Sequence, residues 1–347
     1  MHTTQLKLDQ VKSAGEIVLK SPAPASAPVA QIAPVRSFPG GKKSRPATEP
    51  AWLQSAGRLT EIELVYKAET RVLWQFMAPT ERPSFTLGLL SDMNEALDMV
   101  EAAFADEGSA AQPPIRYLVL ASHLPGIFNL GGDLPLFMRL IADGDRDSLQ
   151  RYARACIDVQ YRRAVNLNLP IWTIALVQGD ALGGGFEAAL AHDLIVAERS
   201  AKFALPEVLF SLFPGMGAYS FLSRRLDAVS AERMILSGKT YGAEELHDMG
   251  IVDLVVEDGE GINSVETYIH ELEKKQRTRL ALLQARRMIR PITRKEMVDI
   301  VDLWVDKALE LTSADLRKMR HLSWAQDQRW RKIWAHGVHA GAAAANA

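Results

Sequence analysis

One cysteine, Cys156, occurs among the 347 residues, which excludes an intrachain disulfide and a structural zinc site built on cysteines. Long apolar runs are also missing: no 18-residue stretch is hydrophobic enough to span a bilayer. The N-terminus has no apolar h-region, so no secretory leader is expected and the chain reads as cytoplasmic. Neither sign of charge prevails, with 40 Lys plus Arg against 42 Asp plus Glu. That balance argues against a nucleic-acid partner held by bulk phosphate attraction. No internal repeat, GxxxxGK[ST], HExxH or GxSxG pattern is found, which leaves P-loop, zincin and serine-elbow chemistries without a signature. What remains is ordinary globular usage, 48% hydrophobic and 24% charged, long enough for a substantial core.

Proline is unevenly spread. Seven of the 17 prolines fall in residues 1–50, in a stretch of Ala, Pro and Ser with one aromatic, Phe38. Such a segment buries too little apolar surface to offset chain entropy, so residues 1–55 read as a disordered extension. The body then divides into a core over 56–270, a helical region over 271–335 and a flexible tail over 336–347. Within the core, LTEIELVYK and TRVLWQFMA read as a hairpin, and residues 85–105 show helical spacing. IRYLVLAS, IWTIALVQGD, DLIVAE, AKFALPE and IVDLVVED read as strands alternating with helices, which predicts an α/β fold with a largely parallel sheet.

Three motifs carry the chemistry. GIFNLGGDL, residues 126–134, follows a strand, and Asp133 stands where a helix would take its N-cap. QGDALGGGFEAAL, residues 178–190, opens a helix with three glycines, whose free N–H groups suit an anionic oxygen. Glu187 lies in the first turn of that helix. In FALPEVLFSLFPGMGAYSFL, residues 203–222, Glu207 sits in nearly unbroken apolar sequence, and burial there would raise its pKa toward a range useful for proton transfer. Cys156, mid-helix, reads as a buried inert thiol, and no histidine spacing suggests a metal.

The three motifs together, in this order, resemble the crotonase (enoyl-CoA hydratase/isomerase) superfamily over about residues 58–335. The resemblance implies a crotonase-like β/α spiral core with a helical C-terminal region. It also implies an oxyanion hole formed by the N–H groups of Gly132 and Gly184, two catalytic glutamates, Glu187 and Glu207, and no cofactor or metal. IFNLGGDL (127–134), IALVQGDALGGGFEAAL (174–190), LPEVLFSLFPGMGAYSF (205–221) and WVDKALEL (304–311) look most like the diffusible signal factor (DSF) synthases. Met216, Ala218, Tyr219 and Ser220 replace the Thr-Gln-Arg stretch of ordinary hydratases, which favours that branch. By this likeness the chain would dehydrate a 3-hydroxyacyl thioester of acyl-carrier protein (ACP) and cleave the thioester, releasing a cis-2-unsaturated fatty acid. The alternative is an enoyl-CoA hydratase/isomerase of fatty acid oxidation acting on acyl-CoA.

An acyl tail needs apolar walls, and Leu136, Phe137, Met138, Phe210, Phe213, Met216, Tyr219 and Trp304 are the candidates, Trp304 by resemblance only. Arg139, Arg146, Arg224 and Arg225 are candidates to meet the carrier at the mouth. The family further implies a homotrimer or dimer of trimers and, in some relatives, inhibition by a sensor-kinase receiver domain.

Overall fold

β-Branched and aromatic residues build the first hairpin, in which β1 (Ile62–Lys67) runs antiparallel to β2 (Val72–Met77) with Ile62 opposite Met77. It belongs to a computed structural model that describes residues 50–105 and 113–344. Most of the Pro-rich extension therefore lies outside the described residues. From Ala51 the chain is already folded, as a 3-10 helix over Ala51–Arg58 that buries Leu53 and sets Trp52 edge-on to Tyr66.

The remaining strands are β3 (Tyr117–Ser122), β4 (Gly126–Asn129), β5 (Trp172–Val177), β6 (Gly179–Leu182), β7 (Leu194–Glu198), β8 (Lys202–Ala204), β9 (Thr240–Gly242) and β10 (Leu254–Val256). They form two sheets. The larger runs β1-β2-β3-β5-β7-β10 and is parallel beyond the hairpin; the smaller runs β4-β6-β8-β9 and ends in an antiparallel pair. Every residue of β2, β3, β5 and β7 is buried, which is why these strands read as unbroken apolar runs rather than alternating ones. Mixed α/β architecture with largely parallel sheets is therefore as expected, but the single sheet is corrected to two. IWTIALVQGD is two strands, one in each sheet, turning at Gln178, whose Oε1 accepts the N–H of Ser122 at 3.2 Å. GIFN, read as loop, is β4, and β9 was not anticipated. Both are too short for periodicity to reveal.

Helices flank the sheets: α1 (Leu87–Phe104), α2 (Leu134–Ala142), α3 (Arg146–Ala164), α4 (Gly184–Leu190), α5 (Ala218–Arg225), α6 (Ala228–Ser237), α7 (Ala243–Asp248), α8 (Gly261–Glu273), α9 (Gln276–Ile289), α10 (Arg294–Leu309) and α11 (Ser313–Ala344). α3 stops at Ala164, ahead of Pro170, because Asn166, Leu167 and Asn168 adopt positive φ and Asn166 bonds to Ile171 O and Asp193. One face of the larger sheet is covered by α8 and α9 through Val265, Ile269, Leu272 and Leu283. On the other side α10 lies along α3, burying Met297, Val301, Trp304 and Val305, each contributing roughly 1.5–3 kcal/mol. Arg154 and Gln150 of α3 fix that pairing on Asp302 of α10. α11 crosses α2 and the 3-10 turn Pro206–Phe210. Among the described residues no helix is long and apolar enough to cross a membrane.

Candidate active site

The loop after β4 is tied down at each backbone step. Leu130 N–H donates to Pro83 O (2.7 Å), Gly131 N–H to Asn129 Oδ1 (2.8 Å), and Gly131 O accepts from Phe85 N–H (2.8 Å). Tyr152, on α3, accepts the Asp133 N–H on its hydroxyl (3.2 Å) and donates that hydroxyl to Phe85 O (2.5 Å). Asp133 caps α2, as expected, by accepting the Leu136 N–H at 3.2 Å, and also faces Arg82. Gly132 lines the cavity between these anchored neighbours.

The second loop meets the first through backbone alone. Gly131 has φ +96°, and a Cβ there would stand 2.7 Å from Leu182 O and 3.0 Å from Gly184 N. Gly183 has φ +50°, and its Cβ would stand 2.6 Å from Glu207 Oε1. Both positions demand glycine for conformation and for space. Gly184 is the first residue of α4, so its N–H has no intrahelical partner. The N–H groups of Gly132 and Gly184 thus belong to loops in contact at one cavity wall.

Two carboxyl groups face the same cavity. Glu187, fully buried on α4, accepts on Oε1 from Met216 N–H (2.8 Å) and Ala218 N–H (2.9 Å). Burial raises its pKa to about 7, with those backbone donors opposing the rise. Glu207, on the Pro206–Phe210 turn, keeps part of its side chain at the cavity surface, but its Oε2 is buried without a hydrogen-bond partner among the described residues. Burial, and then the charge of Glu187, hold its pKa well above the ordinary carboxylate range. Glu187 is held by several backbone donors, whereas Glu207 has only its own backbone N–H and is repelled by Glu187, so their proton affinities separate.

The cavity measures about 380 Å³. One end is apolar, lined by Phe137, Tyr152, Cys156, Val301 and Trp304; the Phe137 and Trp304 rings stand 5.2 Å apart, edge to face. The lining also includes the polar residues Asp180, Gln326 and Arg329. Arg329 pairs with Asp180 at 2.5 Å, and Gln326 donates to Leu130 O at 2.9 Å, which holds α11 across the opening. The space thus sets two glycine loops and two carboxyl groups beside an apolar wall. Among the described residues no cluster of three His, Cys, Asp or Glu side chains could hold a metal.

The structure brings together Gly132, Gly184, Glu187, Glu207, Phe137, Phe210, Met216 and Trp304 around this cavity. It does not place Leu136, Met138, Phe213 or Tyr219 in its lining. Leu136 and Met138 flank Phe137 on α2 and so leave its face of the helix; both pack against the core instead, as Phe213 does. Tyr219 is 37% exposed and bonds its hydroxyl to Glu232. None of the four arginines expected at the mouth lines the cavity: Arg139 is exposed on α2, Arg146 pairs with Asp306, Arg224 with Glu296, and Arg225 donates to His192 O. Cys156 is buried, and burial pushes its thiol pKa up, in keeping with an inert role. Tyr152, Val301, Asp180, Gln326 and Arg329 were not anticipated. Asp180 lies within the second motif, but the signal of the other four is tertiary, since α3, α10 and α11 reach the cavity from distant sequence.

Comparison with known proteins agrees with this geometry. The enoyl-CoA hydratase/isomerase family profile matches residues 70–306. The mitochondrial methylglutaconyl-CoA hydratase of Rattus norvegicus is 29% identical over 177 residues, 51% of this chain and 51% of that protein. The Mus musculus protein of the same name is 32% identical over 42% of this chain and 44% of that one, so the chain spans about half the length of the curated relatives it matches. Among solved structures, an enoyl-CoA hydratase from Bacillus halodurans superposes with TM-score 0.63 at 18% identity, covering 76% of this chain and all of that one. Pseudomonas aeruginosa DspI superposes with TM-score 0.55 at 26% identity, covering 66% of this chain and 82% of that one. With that match running from β2 to α10 and taking in both glycine loops and both glutamates, the chain belongs to the enoyl-CoA hydratase/isomerase family.

Proposed function

We propose that this protein dehydrates a 3-hydroxyacyl thioester of ACP and hydrolyses the product to a free 2-unsaturated fatty acid, as a signal-forming synthase of the DSF type. The observation that supports this most is the pair of buried carboxyl groups with separated proton affinities, facing one largely apolar cavity beside two backbone donors. Glu187, ionising near pH 7, removes a proton from C2. Glu207, protonated at that pH, delivers its proton to the C3 hydroxyl, which leaves as water while the C2–C3 double bond forms. Negative charge developing on the thioester oxygen is met by the N–H groups of Gly132 and Gly184. Donors of this kind contribute about 3–4 kcal/mol each to transition-state stabilisation. In the second step water adds to the same carbonyl, the same donors hold the tetrahedral oxyanion, and the thiol departs with a proton. The acyl chain lies along the apolar wall that the Phe137 and Trp304 rings form together.

A second reading, addition of water to a 2-enoyl-CoA, is favoured by the likeness to methylglutaconyl-CoA hydratases. It uses the same two carboxyls in the reverse direction and stops before thioester cleavage. Matched ACP and CoA thioesters of one 3-hydroxy acid separate the two. The synthase reading predicts free acid from the ACP substrate, abolished in Glu187→Ala and Glu207→Ala. Release of none, with hydration of enoyl-CoA intact, overturns it.

A further inference from the structure

A second cavity, of about 260 Å³, opens at the other end of α4 and shares no lining residue with the first. Its floor is Leu190, Ala191, His192 and Asp193, where α4 ends, and five arginines surround it: Arg224 and Arg225 of α5, Arg286 and Arg287 of α9, and Arg290. Arginines often gather at helix C-termini only to complement exposed carbonyls, and two of these do. Arg224 is fully engaged by Glu296 and by the carbonyls of Ser220, Arg290 and Pro291. Arg225 donates to His192 O and Ile251 O and stands 3.9 Å from Asp253. Arg286 shares Asp193, whose other oxygen is already taken by Asn166 and Thr173.

The other two are not accounted for in that way. Arg290 donates to the Arg224 carbonyl and has no carboxylate partner among the described residues. Arg287 has no hydrogen bond or ion pair among them, and its Nη2 is buried. Five guanidinium groups therefore face three carboxylates, Asp193, Asp253 and Glu296, and the surplus charge sits on Arg287, in the last turn of α9, and on Arg290, which caps that helix. Arg287 is half-buried, but a guanidinium nitrogen buried without a partner is costly, and a bidentate oxyanion is the group whose geometry the guanidinium fork fits. Tyr161, Phe221, Leu283 and Ile292 supply apolar wall beside the arginines, room that a bare anion does not fill.

We propose that this cavity binds a phosphate-class oxyanion, free or as the terminal group of a small organic phosphate, on Arg287 and Arg290. The test is calorimetric titration of the full chain with inorganic phosphate and with phenyl phosphate, against chloride at equal ionic strength. Saturable one-to-one binding is expected, weakened at least tenfold by Arg287→Gln and several-fold by the more exposed Arg290→Gln. Arg317→Gln on α11, an exposed arginine away from the cavity, leaves it unchanged. Tighter binding of phenyl phosphate identifies an organic phosphate as the ligand; tighter binding of inorganic phosphate identifies the free anion. Phosphate behaving like chloride, or both cavity variants binding as the parent does, overturns the proposal.

Discussion

The Glu187 carboxylate accepts the Met216 N–H at 2.8 Å, while Glu207 in the same cavity leaves Oε2 buried and unpartnered. In the proposed mechanism this asymmetry gives the charged form to Glu187 and the neutral form to Glu207. Under the proposed mechanism, kcat/KM for dehydration should rise with an acid-side limb near pH 7 and fall at higher pH as Glu207 loses its proton. A pH–rate profile flat from pH 5 to 8 would refute the assignment.

The same group makes stability depend on pH. Its folded pKa of about 7 lies above the unfolded value of 4.5, so between those values the unfolded chain has released a proton that the native state retains. Stability conferred by the protonated form is present below pH 4.5 and is lost as pH rises toward 7, a change of roughly 3 kcal/mol from this residue. Glu187→Gln, which keeps an acceptor for the Met216 and Ala218 N–H groups, should therefore gain melting temperature over the parent at pH 8 and little at pH 5. Equal effects at both pH values would count against the raised pKa.

Gly131→Ala should damage both fold and site. Its φ of +96° costs a residue with a Cβ about 1–3 kcal/mol, and the new methyl meets Leu182 O and Gly184 N. The expected result is a melting point several degrees lower and turnover reduced by about 10²–10³, the scale of a displaced oxyanion donor. Alanine here with parental turnover would show that the contact between the loops is dispensable.

Tyr152→Phe removes one hydroxyl and leaves Phe85 O and Asp133 N–H unsatisfied, at about 1–3 kcal/mol. The ring also packs edge-on to Phe137, a contact the substitution retains. Because the hydroxyl positions the Gly132 loop rather than the substrate, kcat should fall more than KM rises. The reverse pattern would argue for a direct role in binding.

How much of this was legible beforehand follows from where each signal resides. The glycine loops, both glutamates and Asp133 are local in sequence; the structure gathers the glycines and glutamates at one cavity and sets Asp133 at the N-cap of α2. β3 and β7 were recognisable because strands buried on both faces are continuously apolar. Residues contributed through packing were not readable: Tyr152 is one of many positions on a helix with 19 residues, and Arg329 reaches Asp180 across 149 positions of chain (329 − 180). Leu136 and Met138 were misplaced because an apolar run gives composition without saying which side of a helix faces the cavity. Four-residue and three-residue strands such as β4 and β9 leave no period to detect.

The corner at Gln178 joins strands of two different sheets with a single residue. Most connections between strands absorb added or deleted residues by bulging into solvent, but this one is buried and its side chain is spent on Ser122. Because β6 carries the triple-glycine loop, a change in length here would move that loop relative to the one beside it. Length variants along this chain should therefore survive at positions such as Gly144 or Gly259, where an added Cβ meets open space, and disappear at 178.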